Sequence, residues 1–172
     1  VLNQGQKNDE AIPFLEKCLE IKPDYVDAMG TLAMIYDDKK IYTKSDSLYQ
    51  AALNERPDDP LLMNNFSYSL SVRGIQLERA KEMAKTAVTA DSTNGAYLDT
   101  LGWIYFKLGD YQKALEYISQ AVKYRSTSAE VMEHLGDVYE KLNDMENARI
   151  YWQKALELDG TRIDLQKKLG EK

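Results

Sequence analysis

The chain has 172 residues, a formal net charge of −6, 44% hydrophobic residues and 12 tyrosines, which is enough apolar side chain for a sizeable core and too much for a disordered segment. It holds no run of about 18 apolar residues that could span a bilayer, and no basic stripe that could displace counterions from a nucleic-acid backbone. Its single cysteine, Cys18, excludes an internal disulfide.

Taken in chain order, residues 7–22 read as a helix in which Ala11 is followed one turn later by Leu15 and then by Cys18. The stretch 26–59 opens with Met29-x2-Leu32-Ala33-x2-Tyr36 and continues with Ser45, Tyr49 and Ala52. The next, 60–94, repeats the plan as Met63-x2-Phe66-Ser67-x2-Leu70 followed by Ala80, Ala84 and Ala87. In 95–128 the same positions hold Leu98-x2-Leu101-Gly102-x2-Tyr105, then Ala114, Ile118 and Ala121. In 129–162 they hold Met132-x2-Leu135-Gly136-x2-Tyr139, then Ala148, Trp152 and Ala155. The last small residue of each unit recurs at intervals of 34, 35, 34 and 34. Each unit is therefore expected to be two antiparallel helices whose small residues let the backbones approach, with a bulky residue one turn away filling the space above.

Punctuation falls at the expected joints. Asp59-Pro60 is an N-cap followed by proline at the first helical position, and Thr127-x-x-Glu130 has the form of a capping box. Gly109-Asp110 and Asn143-Asp144 each join a residue tolerant of left-handed backbone to a new N-cap. The leading helix is expected to be the second half of a shortened unit. The charged segment 161–172, with Leu169-Gly170 in register, is expected to be a polar capping helix, with the first helix of a further repeat as the alternative.

This pattern resembles the tetratricopeptide repeat, whose signature is W-x2-L-G-x2-Y, then A-x3-F, then P. Pro23 and Pro57 hold the closing proline position, whereas Met or Leu stands at the tryptophan position throughout. The resemblance implies an all-α, right-handed α-solenoid that binds another protein and carries no catalytic residues. The succession NNFSYSL, AYLDTLGWIYFKLGDYQKALEYI and AEVMEHLGDVYEKLND is similar to the C-terminal repeats of bacterial adaptor and envelope lipoproteins. That similarity implies a periplasmic or membrane-tethered location, with the cytoplasm as the alternative.

The residues give little reason to expect chemistry. His134 is read as a partly exposed helix residue without a ligand or triad partner, and Cys18 as a buried, inert thiol more than three repeats away from it. No phosphate loop, CxxC or HExxH is present, so neither metal nor cofactor is expected. A regulatory segment of a larger enzyme is the alternative function, and self-association is left open.

Family geometry places the first helix of each unit on the concave face. Trp103 and Phe106 form a stripe with Asp99, separate from the core stripe of the same helix. The matching positions are Met34 and Asp37, then Asn64 and Tyr68 beside Asn65, then Glu133, Asp137 and Glu140 with Glu130 on the same stripe. These twelve residues are the candidate peptide groove, aromatic in the middle and acidic at one end. The acidic stripe admits two readings, a solvated face or a surface for a basic ligand. The groove lacks the lysine and arginine that a clamp for an acidic C-terminus needs, because Gly30, Asn64, Asp99 and Glu133 stand at those positions. The expected occupant is an extended or helical protein segment with apolar anchors and some positive charge.

Overall fold

A computed structural model describes residues 4–170, with side chains described from residue 8 onward. Among the described residues there are ten helices and no strand. They are α1 (Gln4–Ile21), α2 (Val26–Asp38), α3 (Tyr42–Glu55), α4 (Pro60–Arg73) and α5 (Leu77–Ala90), then α6 (Gly95–Lys107), α7 (Tyr111–Tyr124), α8 (Ala129–Lys141), α9 (Met145–Leu158) and α10 (Ile163–Leu169). The closest pairings are α2 with α3, α4 with α5, α6 with α7 and α8 with α9. The pairs also stack, with α5 on α6 and α7 on α8. The helices α2, α4, α6 and α8 touch one another in series, so they form the inner wall of an all-α, right-handed solenoid.

The small-residue positions account for this packing. Ser45, Ala52, Ala80, Ala84, Ala87, Ala114, Ala121, Ala148 and Ala155 are all fully buried. A methyl group on Gly102 would lie 2.5 Å from Ile118 Cγ1, and one on Gly136 would lie 2.4 Å from Trp152 Cδ1. The two backbones of each of these pairs are as close as their large residues allow. In α1, Cys18 is only half-buried, which corrects the expectation of a buried thiol: α1 packs on α2, and Phe14 and Ile21, on the same stripe as Cys18, are exposed.

Asp59 caps α4 by accepting from the Leu61 and Leu62 amides at 3.0 and 3.1 Å, with Pro60 at the first helical position. Asp110 and Asp144 cap α7 and α9, each after a residue at positive φ, Gly109 at 84° and Asn143 at 62°. The cap of α8 is Ser128, which accepts from the Val131 amide, and not Thr127 as the sequence pattern suggests. A hydroxyl at either position offers the same acceptor, and the turn settles which of the two reaches the amide.

Candidate functional site: the inner face of the solenoid

The inner wall holds an open cavity of about 380 Å³ between α2, α4 and α6. Seven of the candidate groove residues line it: Met34, Asp37, Asn64, Asn65, Tyr68, Asp99 and Glu130. Asp38, Tyr49, Ala96, Thr100 and Arg125 complete the lining. Four carboxylates thus face one guanidinium. Arg125 was not visible as a groove residue in the sequence, because it is the C-cap of α7, a second helix. Its position relative to the repeat is shared by Arg56, the C-cap of α3, and that is the only signal that singles it out.

Individual contacts set the character of the wall. The Tyr68 hydroxyl donates to Glu130, bridging α4 to α8. Burial and then the Glu130 charge push the Tyr68 phenol far above its ordinary range, so it remains a donor at any physiological pH. Ser69 donates to Asp37, whose carboxyl is raised by burial despite that bond. Asn65 Nδ2 points at the Met34 sulfur at 3.3 Å, and Asn64 Nδ2 donates to Asn65 Oδ1 at 3.3 Å.

Trp103 and Phe106 are half-buried and are not among the residues that line this cavity. Their rings stack at 4.6 Å, and Phe106 also meets Tyr111 at 5.5 Å. On its other side Trp103 stacks on the His134 ring at 3.9 Å, and Lys107 lies 4.8 Å from the indole centroid. Much of the aromatic surface of α6 is therefore covered by side chains of α7 and α8.

His134 is not the partly exposed residue expected from sequence. It is 7% exposed, and its Nδ1 lies 3.0 and 3.1 Å from the two oxygens of Asp99, itself 3% exposed. Burial alone would lower the imidazole pKa. The Asp99 charge and hydrogen bond, with Glu130 and Asp137 behind them, outweigh burial and raise it above the ordinary value. A lone histidine in a sequence shows no partner, but the stacking of α6 on α8 brings one 35 residues away to it.

The acidic end of the stripe is also engaged. Arg162 pairs with Glu133, while Asp137 accepts from Trp152 Nε1 at 2.8 Å and pairs with Lys168. Among the described residues Glu140 pairs with the adjacent Lys141 alone, at 4.0 Å. Lys167 pairs with Asp164 on its own helix.

A right-handed stack of helix pairs with a lined inner face defines the class of solenoid proteins that present a concave surface to other proteins. Tetratricopeptide repeat models match residues 2–63 and 100–162, together most of the chain, and the chain belongs to the tetratricopeptide repeat family. It is 24% identical over 117 residues to a TPR repeat-containing protein of Pseudomonas aeruginosa, covering 68% of this chain and 20% of that one. It is 32% identical over 93 residues to an HSC co-chaperone of Aspergillus fumigatus, covering 54% of this chain and 26% of that one. The chain thus spans about a fifth to a quarter of the length of these curated relatives.

Among solved structures, a thermophilic TPR protein of Thermus thermophilus superposes with a TM-score of 0.78 at 20% identity, covering 96% of this chain and 90% of that one. The Pseudomonas aeruginosa protein pilF gives 0.73 at 22% identity, covering 98% of this chain and 79% of that one. At these identities the structural likeness defines the fold alone.

Proposed function

We propose that this chain is a non-catalytic scaffold that holds a segment of a partner protein against the inner face formed by α2, α4, α6 and α8. Tetratricopeptide repeats serve protein–protein interaction in general, and among the described residues no helix is long and apolar enough to cross a membrane. The observation that carries the specific reading is the continuity of the inner wall. Asp99 lines the open acidic cavity, and Trp103 stands one turn further along α6, stacked on Phe106 and on the His134 ring that Asp99 holds, so polar and aromatic side chains follow one another along this wall. Rigid aromatic rings next to desolvated polar groups are the usual seat of binding energy at protein interfaces. The occupant that fits is an extended or helical segment with apolar side chains for the ring stack and positive charge for the cavity.

The acidic cavity argues against an acidic C-terminal peptide as occupant, since such a ligand would bring like charge to Asp37, Asp38 and Glu130. The carboxylates Glu133 and Asp137 contribute less than their number implies, because Arg162 and Lys168 already occupy them.

The test pairs capture with affinity. Partners are drawn from the source organism's lysate with the wild type and with a folded Trp103→Ala/Phe106→Ala double variant, and the captured protein is then titrated in purified form. The expected result is one partner whose Kd rises at least about tenfold for the double variant, corresponding to ~1.4 kcal/mol. Equal affinity for the two proteins would overturn the assignment of the inner face.

A further inference from the structure

Asn64 carries a feature that the repeat architecture does not require. It is 6% exposed, it lines the inner-face cavity, and among the described residues its Oδ1 has no hydrogen-bond partner. An unmet buried acceptor is a standing cost that an apolar side chain of the same size would avoid, so its retention points to a donor brought from outside.

The groups around it agree on the charge of that donor. Glu130 gives one oxygen to Tyr68 and Asp37 gives one to Ser69, which leaves each with further lone pairs. Asp38 adds charge at the rim, and among the described residues no ion pair engages Arg125. Among the described residues no three ligating side chains are grouped to hold a metal ion. An amide oxygen and two carboxylates lining one cavity suit a planar fork of five donors better than the compact ammonium of lysine. The cavity, at about 380 Å³, has room for such a group together with the chain that carries it.

Resting on the reading that a partner segment lies along this face, we propose that the cavity between α2, α4 and α6 is a guanidinium subsite. It takes one arginine side chain of that segment on Asn64 Oδ1, Glu130 and Asp37. The ring stack of Trp103 and Phe106 then holds the apolar residues that flank the arginine.

The probes are acetyl-arginine amide, acetyl-lysine amide and acetyl-norleucine amide, titrated at constant ionic strength into the protein and followed by amide NMR. The arginine probe is expected to give saturable shifts at the side-chain amides of Asn64 and Asn65, with weaker shifts from lysine and none from norleucine. Asn64→Leu is expected to raise the urea midpoint, since it removes the unmet acceptor, and to weaken the arginine probe at least about tenfold. Glu130→Gln should weaken it as well, and Arg125→Gln, which removes a like charge, should tighten it. Overturning results are an absence of saturable shifts for arginine, an equal response to norleucine, or an Asn64→Leu variant that is less stable yet binds unchanged. Partner capture that depends on Trp103 and Phe106 without any response to the arginine probe would remove the subsite and leave the scaffold. A response to the probe without such capture would do the reverse.

Discussion

Replacing Gly136 by alanine sets two effects of known size against each other. Alanine in a helix interior is favoured over glycine by about 1 kcal/mol. The new methyl, however, would lie 2.4 Å from Trp152 Cδ1, 2.6 Å from Nε1 and 3.1 Å from the Ala148 carbonyl oxygen. Neither neighbour can withdraw cheaply. Trp152 is 1% exposed, its Nε1 is tied to Asp137 at 2.8 Å on the same helix as Gly136, and the Ala148 oxygen is backbone. Overpacking of this kind costs about 1–3 kcal/mol, and a fixed ring places it toward the upper end. The expected balance is a loss of roughly 1–2 kcal/mol, which for a chain of this size lowers the melting temperature by about 2–8 °C. Urea and thermal melts followed by far-ultraviolet circular dichroism measure it. Gly160→Ala is the control, because its methyl would meet only the Leu156 oxygen at 3.8 Å. If Gly136→Ala were as stable as the wild type, close approach of α8 and α9 would not be what holds that pair together.

The other predictions concern a charge and a backbone donor. His134 is the only histidine, so its ring resonances can be assigned without ambiguity, and they should titrate above the ordinary 6.5. Because the folded pKa is raised, the stability gained from the imidazolium is complete below the unfolded value and is lost as pH rises through the folded one. The urea midpoint should therefore fall as pH rises from the ordinary imidazole value through the raised folded one in the wild type, and stay flatter in His134→Gln. A ring midpoint at or below the ordinary value would show that burial outweighs Asp99. Pro13 sits inside α1 and withholds one backbone donor from it. Pro13→Ala should slow amide exchange along α1, with a local gain of up to ~3 kcal/mol, and unchanged exchange would mean that α1 is held by its packing on α2 alone.

Much of the fold was legible because the constraint on it is local and recurs. Gly102 and Gly136 mark the places where two helices meet, facing Ile118 and Tyr117 in one pair and Trp152 and Ala148 in the other, all residues of the helix that follows directly in the chain. The caps at Asp59, Asp110 and Asp144 are local in the same sense, and the slip from Thr127 to Ser128 is a single residue within one turn.

What the chain alone could not display are the contacts between successive first helices. Helical spacing fixes the angle of each side chain about its own axis, but not how far one helix is shifted along the next. That shift determines that His134 meets Asp99 and the Trp103 ring, and that Tyr68 reaches Glu130 across 62 residues. It also brings Arg162 and Lys168 onto two carboxylates of a stripe that reads as free in sequence. The repeat determined which residues turn inward. The superhelical offset between repeats decided which of them are already satisfied, and among the described residues it left Asn64 Oδ1 without a partner.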